Sequence, residues 1–207
     1  MNEKFFDLPK ERQNAIINGA LHVFSKYEYK KATMEEIAKE AGVSKALLFH
    51  YFGNKKSLYL FLYDYATQKS YEQMKELKNK NDNDFFNKII DAQNCKVKIL
   101  LEHPDIMMFL TKVYFEENEE VKEDIRKDFM DLIVKTKIDF FKDIDLSKFK
   151  DDVSPKNVLN IVFWMAEGFM KDKKLEADKP VDLMKLNDEY IEHLEVLRKA
   201  FYKEEYL

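Results

Sequence analysis

Residues 31–58 read KATMEEIAKEAGVSKALLFHYFGNKKSL, and the fold is decided by how this stretch is punctuated. Thr33 followed three residues later by Glu36 is a capping-box pattern, in which hydroxyl and carboxylate each satisfy a backbone amide that a helix start leaves without a partner. The spacing predicts a helix that turns Ile37 and Ala38 inward and stops at Gly42, the residue type that most easily takes the left-handed conformation ending a helix. Ser44 then caps a second helix, with Val43 before it and Leu48 placed after it as a hydrophobic staple. Asn54 caps the next helix, which Lys55 and Lys56 open. Two short helices joined by a glycine turn form a helix-turn-helix, whose second helix lies in a DNA major groove. A glycine turn alone also occurs in helical proteins that never touch DNA. The conjunction favours DNA: capping box, glycine turn, aromatic and basic outward face, and a lysine-opened following helix in one run.

At about 100° per residue, Leu48 and Phe52 share the inward face of the second helix. Ala46, Leu47 and His50 lie opposite, with Lys45 and Phe49 on one flank and Tyr51 on the other. Small apolar side chains read thymine methyl groups, and Lys45 can reach guanine acceptors or phosphate. No Arg, Asn or Gln stands on this face for bidentate base contacts, so the expected half-site is rich in thymine. Thr33, Tyr51, Lys55 and Lys56 are expected to hold phosphate, the last two at a helix N-terminus whose dipole favours an anion. The expected DNA-contacting set is therefore Thr33, Ser44, Lys45, Ala46, Leu47, Phe49, His50, Tyr51, Lys55 and Lys56.

The rest of the chain reads as all-α. Its 207 residues include four Gly and four Pro, too few for the turns of a strand-rich fold. Asp7 and Pro9 start a helix carrying Ile16, Ala20, Val23, Phe24 and Tyr27 at three-to-four spacing. Further helices are predicted from Lys55 to about Asn79, over Phe85 to Glu102, from Pro104, over about Glu119 to Lys142, over about Lys156 to Lys173, and from about Val181 to Lys203. The expected organisation is a helix-turn-helix domain over 1–54 and a larger helical effector-binding and dimerisation domain over 55–207. Charge follows this division. Residues 1–56 carry ten Lys and Arg against seven Asp and Glu, a net +3, whereas the remainder carries −7 of the total −4. Only the basic N-terminal part is suited to a polyanion. The single cysteine, Cys95, cannot form an internal disulfide, and no segment reads as a signal peptide or a membrane span; a cytoplasmic protein with no membrane partner is expected.

The run from about Gln13 to Phe61 resembles the DNA-binding domain of the TetR/AcrR family of bacterial transcriptional regulators. The likeness is carried by T-x-x-x-I-A (Thr33 to Ala38), A-G-V-S (Ala41 to Ser44), Y-F (Tyr51, Phe52) and N-K-K-x-L (Asn54 to Leu58). It implies a three-helix head, an all-helical ligand-binding body and a homodimer that usually represses, releasing its DNA operator when a small-molecule effector binds. Ala46-Leu47-Leu48-Phe49 stands where the family often has Gly-Thr-Leu-Tyr, and Glu28 replaces the usual glycine before the aromatic Tyr29. Two hydroxyls are missing, so operator specificity does not carry over.

For the body, residues 157–170 are apolar nearly all round, which calls for burial on more than one side. Leu183, Leu186, Tyr190, Leu194, Leu197 and Phe201 form a heptad-like seam. Val158, Val162, Met165, Phe169, Tyr190, Leu194, Leu197 and Phe201 are the expected dimer interface, the alternative being that both helices close the monomer core. Two-fold pairing makes the expected operator an inverted repeat. Adaptable and aromatic side chains nominate Tyr65, Phe86, Met107, Met108, Phe109, Phe115 and Trp164 for an apolar or amphipathic effector pocket, although such a stripe is more often ordinary core. Glu189 and His193 stand at i,i+4, but two ligands do not make a metal site. No phosphate loop, nucleophile elbow or zinc-spaced cluster is present, so no cofactor, metal or enzymatic activity is expected. The competing reading is a helical ligand carrier or adaptor that no longer binds DNA specifically.

Overall fold

The structure, a computed structural model, describes residues 3–77, 82–175 and 183–207. A 3-10 turn at Glu3–Asp7 precedes helices α1 (Lys10–Lys26), α2 (Met34–Glu40), α3 (Lys45–Phe52), α4 (Lys55–Leu77), α5 (Phe85–Glu102), α6 (Pro104–Tyr114), α7 (Lys122–Phe141), α8 (Pro155–Leu175) and α9 (Leu183–Phe201). Pro104 opens α6 as expected, since a first-turn proline forfeits no helical hydrogen bond. Asn79 and Val181, the predicted limits of two helices, lie outside the described residues. Among the described residues there is no strand, only an isolated antiparallel bridge between Phe149 and Tyr202.

The chain packs as two compact units. One comprises Met1–Glu76 with Lys98–Lys137. Its core joins Ile16, Ala20 and Phe24 of α1, Ile37 of α2, Leu48 and Phe52 of α3, Leu58, Tyr59 and Leu62 of α4, and Phe109 of α6. Each fully buried large apolar side chain favours the fold by about 1.5–3 kcal/mol over an exposed one. This core runs through residue 54 without a break. Before α1, the 3-10 turn inserts Phe5, wholly buried, against Phe52 and Phe61 at ring-centroid distances of 5.0 and 5.6 Å.

The other unit comprises Leu77–Val97 with Ile138–Leu207. Phe85, Phe86, Phe149, Val158, Leu159 and Tyr202 form one buried cluster, and Val162, Tyr190 and Leu194 another. Asp84 organises one end of this unit. Its Oδ1 caps α5 by accepting from the Asn87 amide at 3.0 Å, and its Oδ2 accepts from Lys148 Nζ at 2.9 Å and from the Tyr202 hydroxyl at 3.2 Å. Burial pushes the Asp84 carboxyl up, but the hydrogen bonds from the Asn87 amide and Lys148, with the charges of Lys148 and Arg198, outweigh it and hold it below the usual carboxylate range.

Candidate nucleic-acid interface

The capping box, the glycine stop and the caps at Ser44 and Asn54 read from residues 31–58 are formed. The Thr33 hydroxyl accepts from the Glu36 amide at 3.2 Å while the Glu36 carboxylate accepts from the Thr33 amide at 3.2 Å. Helix α2 closes with the amide of Gly42 donating to the Lys39 carbonyl at 3.2 Å and that of Val43 to the Ala38 carbonyl at 2.9 Å. Gly42 has φ 62°, the left-handed geometry this pair of bonds needs. Ser44 Oγ accepts from the Leu47 amide at 3.2 Å, and Asn54 Oδ1 from the Ser57 amide at 2.8 Å.

Behind the turn, α1 approaches very closely. A Cβ on Gly19 would stand 2.7 Å from the Ala41 nitrogen and 2.8 Å from its Cα. Glycine at 19 thus sets how near α2, and the turn after it, can come to α1. Sequence reading passed over this residue; a glycine inside a strongly periodic helix is the signal that could have found it.

Helix α3 buries Leu48 and Phe52 and presents Lys45, Ala46, Phe49 and His50 to solvent, with Leu47 and Tyr51 half-buried. Lys45 lies over the Phe49 ring at 5.6 Å and pairs with Glu35 of α2, whose carboxyl it holds below its usual range. Phe5 packs edge-on against Tyr51 at 5.8 Å, so the turn before α1 supports the back of this face.

The two lysines opening α4 differ in their surroundings. Lys55 Nζ donates to the carbonyls of Tyr29 and Ala32 at 2.8 and 3.0 Å and lies 4.4 Å from the Tyr29 ring centroid. It staples the loop between α1 and α2 to the start of α4. Lys56 pairs with Asp124 of α7 at 2.7 Å. Both partners come from elements remote in sequence, which no local pattern reveals.

The residues nominated for an effector pocket fall in both units. Tyr65, Met107, Met108, Phe109 and Phe115 belong to the first unit, Phe86 and Trp164 to the second. Phe109 and Phe86 are wholly buried core residues, whereas Met108 is 45% and Trp164 68% exposed. Val158, Val162, Tyr190 and Leu194 are buried within the protomer, and Met165, Phe169, Leu197 and Phe201 are half-buried on the same faces. The outward face of α8 instead carries Trp164, with Phe163 and Met170 on its flank. Leu183 lies outside the described side chains.

Glu189 pairs with Lys173 at 3.1 Å, while His193 Nδ1 meets the Glu189 carbonyl at 2.7 Å, so the two side chains do not converge on a common point. Among the described residues no group of three or more His, Cys, Asp and Glu could hold a metal. Cys95 is buried. His22, Ser25 and Asp105 meet, with Asp105 accepting from the Ser25 hydroxyl at 2.7 Å and lying 3.0 Å from His22 Nδ1. The serine bonds the carboxylate rather than the imidazole, so this is a tie between α1 and α6 and not a nucleophile–base pair.

A capped pair of short helices with a solvent-facing second member, on an otherwise helical chain, defines a helix-turn-helix protein. Residues 16–61, which include the helix-turn-helix, match the model of the bacterial regulatory proteins of the tetR family. The chain is 30% identical over 126 residues to the uncharacterized HTH-type transcriptional regulator YuxN of Bacillus subtilis, covering 57% of this chain and 42% of that protein. The chain thus spans less than half the length of this relative. A TetR family transcriptional regulator from Chloroflexus aurantiacus has the same fold, with a TM-score of 0.65 and 17% identity over 98% of both chains. NalD, the secondary repressor of the MexAB-OprM multidrug efflux pump in Pseudomonas aeruginosa, matches with a TM-score of 0.61 and 20% identity over 94% of this chain and 98% of its own. Among the described residues no helix is long and apolar enough to cross a membrane.

Proposed function

We propose that the chain is a cytoplasmic homodimeric repressor in which residues 1–54 read an inverted-repeat operator and residues 55–207 pair the protomers and bind a small apolar or amphipathic effector that releases the DNA. The observation that carries this reading is the uncovered face of α3, where Lys45, Ala46, Phe49 and His50 are exposed on a helix whose opposite side is anchored in the core. Ala46 and Leu47 read thymine methyl groups. Thr33, Ser44 and Tyr51 contact phosphate. Lys45 and Lys56 do so by exchanging Glu35 and Asp124 for it, and Lys55 positions the α4 N-terminus from behind. Pairing uses the outward side of α8, where an exposed Trp164 costs the isolated protomer solvation that a partner's surface would remove. The eight residues expected at the interface then support that surface from within. Two-fold symmetry sets the two α3 helices about 34–36 Å apart on successive major grooves.

Binding-site selection from random duplexes, scored by fluorescence anisotropy, tests the reading. It should return an inverted repeat with thymine at the positions facing Ala46 and Leu47. Half-sites lacking thymine there would sink the methyl readout. Absence of any sequence preference at low salt would sink the regulator itself.

A further inference from the structure

Helices α1 and α4 face each other across a cleft of about 380 Å³ that lies wholly within the first unit. On α4 the cleft is lined by Phe61, Asp64, Tyr65, Gln68 and Lys69, and on α1 by Lys10, Gln13, Asn14 and Ile17; Lys69 apart, each set steps i, i+3, i+4, i+7. One face of each helix is therefore turned into it. The volume is within the range that small-molecule sites occupy. Phe6 of the N-terminal 3-10 turn closes one side. Its ring meets Phe61 at 6.3 Å, and Phe61 meets Tyr65 at 6.4 Å, giving a continuous aromatic wall.

The charges beside this wall are unequal in their freedom. Lys69 is paired with Glu72 at 3.8 Å, whereas Lys10 Nζ donates to the neutral amide oxygen of Gln13 at 3.2 Å and keeps its charge, so the two carboxylates Asp64 and Asp128 face one uncompensated lysine. Asp64, among the described residues, has no cation paired with it, and Asp128 of α7 adds to the negative potential around it. A carboxylate with no paired counter-ion next to aromatic faces is the chemistry that recognises an organic cation.

We propose that this cleft binds an organic cation with an aromatic or hydrocarbon body, its charge against Asp64 and its body against Phe6, Phe61 and Tyr65. Binding there acts on the DNA-reading helix through a short path. Phe6 and Phe5 are successive residues of the 3-10 turn, and Phe5 packs directly on Tyr51 and Phe52 of α3. A ligand that shifts Phe6 shifts the support of the recognition face. This coupling rests on the regulator reading; the site itself does not.

Isothermal titration of the full chain with benzyltrimethylammonium, with benzoate and benzyl alcohol as anionic and neutral probes of similar shape, tests the site. The cation should bind saturably and more tightly than either control. Asp64→Asn should weaken it about tenfold, and Phe6→Ala, at a residue already 53% exposed and so tolerant of truncation, about threefold. No saturable binding, an unchanged Asp64→Asn variant, or a preference for benzoate overturns the site. Operator anisotropy with and without the probe then tests the coupling: a changed affinity supports it, and an unchanged affinity with the cleft occupied overturns it. A chain that binds the cation but no operator refutes the regulator reading while leaving the site standing.

Discussion

Replacing Gly19 with alanine should loosen the helix-turn-helix from behind. The new Cβ would stand 2.7, 2.8 and 2.9 Å from the nitrogen, Cα and Cβ of Ala41. Two of these three are backbone atoms, which cannot swing aside as the end of a long side chain can. Reaching the roughly 3.5 Å at which such atoms attract requires α1 and α2 to part by roughly 0.8 Å. Overpacking of this kind costs about 1–3 kcal/mol. Alanine recovers up to about 1 kcal/mol of helix propensity, so a net destabilisation of about 1–2 kcal/mol is expected. Urea unfolding followed by circular dichroism measures it. Because Ala41 directly precedes Gly42, operator affinity should fall in conditions where the variant is still fully folded. Adding Ala41→Gly removes only the Cβ contact and should rescue little. Gly19→Ala as stable as the parent, or full rescue by Ala41→Gly, would refute the backbone contact as the reason for glycine here.

The lysines of α3 and α4 should separate by salt dependence. Lys45→Ala and Lys56→Ala should each lower the slope of log affinity against log salt by about one, whereas Lys55→Met should leave the slope unchanged and instead destabilise the fold by about 1–2 kcal/mol, because two carbonyls lose their donor. Equal slopes for all three would remove the distinction. Trp164→Lys should give a monomer by sedimentation velocity at micromolar concentration and, with it, loss of high-affinity operator binding; a dimer of unchanged strength would exclude the outward face of α8 as the interface. Asp84→Asn should cost about 1–3 kcal/mol at neutral pH, since it leaves Lys148 and Arg198 facing a neutral group. The folded-state pKa of Asp84 is depressed, so its contribution is present above the unfolded carboxyl pKa of about 3.9 and is lost as pH falls through the folded value. The gap between variant and parent in unfolding free energy should therefore narrow below about pH 4, and a gap that widens there would refute the charge network.

What the sequence alone determined is what depends on neighbours a few residues apart. The capping box of Thr33 and Glu36, the glycine stop at 42, the caps at Ser44 and Asn54 and the proline start of α6 are each complete within a single turn of chain. The inward side of α3 followed for the same reason, because helical periodicity fixes which residues share a face. Tertiary structure decided everything that turns on which surfaces meet. Lys55 reads as a phosphate lysine until the carbonyls of Tyr29 and Ala32 stand beside it, and Gly19 reads as a weak point in a helix until the backbone of Ala41 fills the space. Apolar patterning marked α8 for burial on more than one side and gave α9 a heptad-like seam, but not which side the protomer itself would use. Val162 and Leu194 closed its core and Trp164 stayed outside, because a helix's own sequence gives the direction of each side chain and never the identity of what it faces.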